Sequence, residues 1–367
     1  MEHQFTKEIK SILTDHFGKA AEEIFESNPL LQYLNIKTRS ASRGSKARGS
    51  FANIYAVFVL VEHYLSHRFD KRGDYSNSEG AKFSELFDRQ RELPFGSKLQ
   101  NHALNHRLNE EFRKFFPQTT YIPVLRNVQT NRYWFNENLL KTTVSRKSYN
   151  LAKAIIAIVR KYISTKQSAF EAFIETCNRL KGIGQENETA VEDFIIGLLA
   201  PNVDARLFEI ISYAILKFYY HEQKVYFGFD LESIQREGLK LYKTGRTNAN
   251  DGGIDFVMRP LGRFFQVTET LDVKKYFLDI DKIERYPLSF VIKSEESLNI
   301  LRQRLKQGAE KQYLIKSIVK RYMSCIEEII NIPVLKARFY EAVKEGYLRQ
   351  ILDEIIMQSK IEFNYRE

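Results

Sequence analysis

Apolar residues recur at helical spacing through the first 35 positions, with Ile9, Leu13 and Phe17 on one stripe, so this stretch reads as helix. A polar break at 36–50 (IKTRSASRGSKARGS) interrupts it. A strong helix is expected from Phe51 to His67, with Ser50 as its N-cap. Residues 70–80 read as a loop, 81–92 and 98–115 as further helix, and 117–135, with Pro117, Pro123 and alternating runs, as short strands or a hairpin. The helical pattern returns over 147–181. The polar, Gly-containing segment 182–190 is the expected domain boundary. Beyond it a helix is expected over 204–221, opened by Asp204 as N-cap. Short apolar or alternating runs follow at 225–229, 238–245, 252–259, 263–269 and 288–293, and most of them read as strands. From 295 to 367 the pattern reverts to helix, with Leu301, Leu305, Ile315, Ile318 and Ile326 among its apolar positions. An α/β segment of roughly 100 residues thus lies between helical material on both sides.

Composition narrows the class. The chain has 367 residues, which suggests two domains or one with large additions, and 43% of them are hydrophobic, enough for a core and too many for a disordered chain. Fifty-six Lys and Arg stand against 46 Asp and Glu, a net charge of +10 that favours a polyanionic partner without identifying one. The two cysteines, Cys177 and Cys325, lie far apart and have no CxxC neighbours, which fits a reducing compartment and excludes a cysteine-built zinc site. The first residues carry no apolar signal-peptide core, and the longest apolar run, 54–61, is too short for the roughly 20 residues a bilayer needs. A soluble cytoplasmic protein with no membrane partner is expected.

The chemistry concentrates in GRTNANDGGIDFVMRPLGRFFQVTE (245–269). Pro260-Leu261-Gly262 is a turn signal between two strand-like runs. Closing a hairpin there brings Asp255 beside Gln266 and Val267, and Gln266 and Thr268, two apart, share a face. A carboxylate, a carboxamide and a hydroxyl then surround one small site. Phosphodiester hydrolysis needs a divalent ion to neutralise charge and activate water. Hard ions such as Mg²⁺ take oxygen ligands, which Asp255 and the Gln266 side-chain carbonyl supply. In the plainer reading the two glycines make a turn, Asp255 caps a loop and Gln266 points outward.

A helix bearing an acidic residue, followed by Asp251-Gly252-Gly253-Ile254-Asp255 and then Gln266-Val267-Thr268, resembles the PD-(D/E)xK nucleases, most closely their Mrr-like branch, where DGGID is followed by Q-V-K. The resemblance spans about 90 residues, 204–293. It implies that Asp255 binds the metal, Mg²⁺, and that Gln266 is a second ligand in the E/D position. It also suggests Glu209, in the preceding helix, as a third acidic contributor. The implied fold is an α/β nuclease core with a mixed sheet at 191–300, flanked by a mainly helical DNA-recognition domain at 1–190 and a C-terminal helical extension at 301–367. Thr268 departs from the pattern, because it occupies the catalytic position where the family carries lysine and it cannot hold a positive charge. Three explanations stand open. A cation arrives from elsewhere, with Lys274, Lys275, Arg263 and Arg246 as candidates; Glu269 takes part through a shifted register; or the site is inactive.

The implied function is a type II restriction endonuclease of a prokaryotic cytoplasm, acting on double-stranded DNA, as many such enzymes do, as a homodimer, with a cognate DNA methyltransferase as a genetic rather than physical partner. A DNA-binding protein that keeps the fold without cleavage and a structure-directed repair nuclease are the alternatives. Lys37, Arg39, Arg43, Lys46 and Arg48, with no acid among them, form a candidate phosphate-tracking loop. The segment 42–65 also resembles N-terminal regions of type II restriction enzymes. His63/His67 and His102/His106 have i,i+4 spacing but no third ligand, and read as surface or DNA-facing histidines. No P-loop and no GxSxG occurs.

Overall fold

A computed structural model describes residues 2–39, 41, 47–97, 99–182, 188–201, 203–244, 254–269, 271, 273–283 and 285–363. The fold is mixed α/β and forms two compact units, Met1–Ile174 with Phe363–Glu367, and Glu175–Glu362.

The first unit is mainly helical. It contains α1 (Gln4–Phe17), α2 (Ala21–Ser27), α3 (Pro29–Thr38), α4 (Ala47–Ser66), α5 (Phe69–Arg72), α6 (Phe83–Glu92), α7 (Leu108–Phe115), α8 (Glu137–Leu140) and most of α9 (Ala152–Gly182). The leading helical stretch breaks where the sequence forces it. Gly18, at φ 58°, ends α1, and Asn28 caps α3 by accepting from the N–H groups of Leu30 and Leu31, with Pro29 at the first turn. Every residue from Phe51 to Val61 is buried, so α4 is a central core helix, exposed on no side over that stretch. No helix among the described residues is long and apolar enough to cross a membrane.

Two expectations fail here. Ser50 does not cap α4; the helix begins earlier, at Ala47, because Ala47 and Arg48 are good helix formers ahead of the buried run. Residues 147–150 are strand, not helix. The chain enters a three-stranded sheet, β1 (Ala81–Lys82), β2 (Val124–Asn127) and β3 (Arg132–Phe135), and then a second hairpin, β4 (Lys141–Val144) and β5 (Lys147–Asn150). The β4–β5 turn uses Ser145 and Arg146 at positive φ instead of glycine, so it leaves no turn signal in the sequence. Asn150 then accepts from the Ala152 N–H and starts α9.

His63, in the last turn of α4, and His67, just past its end, face each other with ring centroids 4.2 Å apart. Burial, and then the neighbouring His67, push the His63 imidazole below its ordinary pKa. The neutral ring therefore suits the folded state, and the unfolded chain takes up the proton first. Stability is full above about pH 6.5 and falls as the pH drops through the lowered folded value. The melting temperature of wild type is expected to fall more between pH 7 and 5 than that of His63→Gln; parallel curves would remove this role from His63.

The second unit contains α10 (Glu188–Gly197), α11 (Ala205–Tyr219), the hairpin β6 (Lys224–Phe227) and β7 (Gln235–Gly238), then β8 (Lys240–Lys243), β9 (Phe256–Arg259), β10 (Arg263–Thr268), α12 (Val273–Lys282), β11 (Leu288–Ile292), α13 (Leu298–Gln312), α14 (Lys316–Ser324), β12 (Ile326–Ile330), α15 (Ile332–Lys344) and α16 (Leu348–Phe363). Strands β8, β9 and β10 form an antiparallel meander; β11 and β12 add in parallel, giving a five-stranded mixed sheet in the order β12-β11-β10-β9-β8. The β10–α12–β11 crossover supplies the parallel step. α11 packs on one face through Tyr213 on Phe256 and Tyr220 on Phe265. On the other face, Tyr276 of α12 packs on Phe290, within a core shared with α13 and α14.

The division between units falls inside α9, ahead of the 182–190 segment, of which 183–187 lie outside the described residues. Nor does the sheet close at residue 300. Ile326–Ile330 is its edge strand and the helices after 301 belong to the same unit, so 301–367 is no separate extension. The segment IEEII places Ile326, Ile329 and Ile330 at helical spacing; pairing with β11 overrides that pattern.

Candidate metal centre

The hairpin at 256–268 forms as its sequence directs. Gly262 takes φ 65° in the turn after Pro260, and Met258, Val257 and Phe256 pair with Arg263, Phe264 and Phe265. Phe256 and Phe265 are fully buried and fix the register from the α11 side, each ring worth roughly 2–3 kcal/mol of burial. One step further, the Asp255 N–H donates at 2.9 Å to the carbonyl of Phe265, the residue that Phe256 already faces, so the regular register breaks at Asp255. There the strands part. The next N–H of β10 facing this way, that of Val267, donates to Oδ2 of Asp255 at 2.7 Å. A carboxylate thus stands where a backbone carbonyl of β9 would have continued the ladder.

Gln266 and Thr268 lie on the α12 face, 6% and 5% exposed, in register with Phe290 and Ile292 of β11. The plainer reading, with Gln266 pointing outward, is therefore not what forms. Its Nε2 makes one long bond, 3.3 Å to the Val267 carbonyl, and its Oε1 is buried with no hydrogen-bond partner. Leaving such an oxygen unpaired costs about 1–3 kcal/mol. Such a hard oxygen suits a cation, and Asp255, whose carboxylate holds the N–H of the next residue, Val267, is the residue that would share it. Among the described residues no group of three or more His, Cys, Asp and Glu side chains converges, so any such ion would have few protein ligands, as Mg²⁺ commonly does.

Glu209 does not join this pair. Asp204 caps α11, as its sequence predicts, accepting from the Arg206 N–H at 2.9 Å. Glu209, one turn in, makes a 2.9 Å ion pair with Lys243 at the end of β8. Lys243 pairs in register with Phe256, and the Thr244 N–H donates to the Asp255 carbonyl at 2.9 Å. Glu209 and Lys243 therefore sit beside the Asp255 strand position, on the α11 face of the sheet.

Sequence reasoning missed Lys243 and Lys293 as charges at this end of the sheet. Lys293 follows the fully buried strand LSFVI, its side chain 3% exposed. Its ammonium donates to the Val203 carbonyl, lies 3.3 Å from Glu269 and sits 5.7 Å from the Phe208 ring centroid; its backbone N–H donates to the Thr268 carbonyl. The legible signal was a lysine ending an otherwise apolar strand. Glu269 stays on the face away from Gln266, as strand parity requires, so no shifted register forms. Arg263 is excluded as the replacement cation, since it lies at the opposite end of β10, bound to Glu327 and Glu328. Arg246 and Asp251–Gly253 lie outside the described residues, as do the side chains of Lys274 and Lys275. Lys293→Met is expected to lower stability by about 2 kcal/mol, less than the loss for a fully buried pair because Glu269 still reaches water. A urea double-mutant cycle with Glu269→Leu checks it; additive losses would mean the pair is not coupled.

Of the expected phosphate-tracking loop, the described residues place the side chains of Lys37 and Arg39 alone. Lys37 is in α3 and makes a 2.6 Å ion pair with Glu111, inside a network that includes Tyr33 and Asn53, so its charge is already neutralised. Arg39 is exposed at the end of α3. Arg48 belongs to α4, with its side chain outside the described residues, and Arg43 and Lys46 lie outside them altogether.

No family model, curated protein or solved structure matches this chain.

Proposed function

We propose that this chain is a metal-dependent DNA endonuclease of the type II restriction kind, with Mg²⁺ held between Asp255 and Gln266. The observation that carries the reading is the buried, unpartnered Oε1 of Gln266, next in the chain to Val267, whose N–H holds the Asp255 carboxylate. The strand order supports it too: a helix bearing Glu209 precedes a hairpin carrying Asp255 and Gln266 in a mixed sheet. When bound, the ion supplies charge neutralisation at the phosphorus and a lowered pKa for the attacking water. The Val267 N–H orients the Asp255 carboxylate, Gln266 contributes its carbonyl oxygen, and the Thr268 hydroxyl on the same face holds water. Glu209 holds Lys243 at the same end of the sheet, and Lys243 and Lys293, both on the α11 face, add positive charge behind the site without taking the place of the lysine that Thr268 replaces. Duplex DNA with a two-fold site and a homodimer of this chain are the matching partners.

The test is digestion of a complex genomic DNA with the purified chain and Mg²⁺, followed by sequencing of the ends. Recurrent ends at one sequence support the reading; intact DNA with every divalent ion tried defeats it. One observation favours a second reading, a DNA-binding protein without cleavage: Lys243 and Lys293 are both held by carboxylates. Salt-dependent DNA binding with no product would select it.

A further inference from the structure

Residues 302–321 (RQRLKQGAEKQYLIKSIVKR) carry seven Lys and Arg against one acid, Glu310, a surplus of six. The fold gathers these charges on α13 and α14. Between the two helices runs a groove of ≈ 810 Å³, with Arg302 and Lys306 on one wall and Lys316 and Lys320 on the other, above a floor that includes Tyr313 and Val319. Each wall carries its cations one helical turn apart, a rise of about 6 Å. Among the described residues Arg302, Lys316 and Lys320 have no acidic partner, and Lys306 reaches Glu310 only at 4.0 Å between exposed side chains. Tyr313 is fixed by stacking on Tyr322, centroids 4.8 Å apart and planes within 10°. Four like charges are thus held close by packing, with little internal compensation. Such an arrangement repels itself until a polyanion enters.

We propose that the α13–α14 groove is a docking site for the phosphate backbone of duplex DNA. A phosphate chain can lie between two cationic walls, whereas a flat anionic bilayer meets only the rim of a groove. The choice of duplex DNA rests on the nuclease reading above; the charge argument does not. The site lies on the helical layer that covers the Gln266 face of the sheet.

Fluorescence anisotropy with a labelled mixed-sequence duplex, in EDTA over a salt series, tests it on the full chain. The variant Arg302→Gln/Lys306→Gln/Lys316→Gln/Lys320→Gln alters exposed side chains only, and its melting curve is expected to match wild type. Its affinity should fall at least ~10-fold, and the slope of log K against log salt should shrink by about 3.6, near 0.9 for each of the four lost phosphate contacts. A control, Lys71→Gln/Arg113→Gln/Lys114→Gln/Lys147→Gln, removes equal charge elsewhere and should move the slope far less. Equal effects from both variants overturn the assignment, as does binding to phosphatidylserine vesicles without binding to duplex. If wild type binds through the groove and never cuts DNA, this site stands and the nuclease reading falls.

Discussion

Plasmid DNA incubated with Mg²⁺ and Asp255→Asn is expected to stay intact where wild type cuts it, a loss of at least ~10³-fold, equivalent to about 4 kcal/mol of transition-state stabilisation. Asparagine is the informative replacement. Its Oδ1 can still accept the Val267 N–H that now donates to Asp255, so the fork between β9 and β10 keeps its geometry while the charge disappears. Asp255→Ala should be equally inactive but also less stable, because it leaves that N–H unpaired, at a cost of about 1–3 kcal/mol. Melting curves separate the two effects. Cleavage by a folded Asp255→Asn at the wild-type rate would remove Asp255 from the site.

Gln266→Leu should do something less usual and become inactive while gaining stability. The wild-type side chain buries an oxygen that nothing in the described structure satisfies. Leucine of similar volume removes that penalty, about 1–3 kcal/mol, and packs beside Phe290. In a unit of this size each kcal/mol raises the melting temperature by about 2–4 °C. The gain should be measured in EDTA. With Mg²⁺ present, wild type should recover part of the difference through binding, and the variant should not. A leucine variant that melts lower than wild type in EDTA would mean that Gln266 is a structural residue, and the case for a metal at this position would lose its main support. The trade of stability for function is the pattern expected of a site built to hold a missing partner.

Several features could be read from the chain before any fold was known. The hairpin was legible because Pro260 and Gly262 punctuate two runs of alternating residues, and strand parity then turns Glu269 away from Gln266. Asp204 was legible as a cap because capping is local chemistry. Other features were hidden for equally physical reasons. The β4–β5 turn places Ser145 and Arg146 at positive φ without glycine. The Ile326–Ile330 strand has a helical spacing of isoleucines and becomes a strand only through its partner β11. Lys37 looked like a free cation because nothing in sequence links it to Glu111, 74 residues away.

The hairpin at 251–269 therefore divides cleanly between what sequence and fold each decide. By itself the sequence determined its register, since period-two alternation and a turn leave few ways to close it. Only the tertiary structure decided that Gln266 is buried with an unmet acceptor, because burial depends on α12 covering that face. Tertiary structure likewise drew Glu209 to Lys243, brought Lys293 to Glu269, and collected the charges of α13 and α14 into one groove. Charge pairing between distant segments depends on distances in space, which a one-dimensional pattern does not contain.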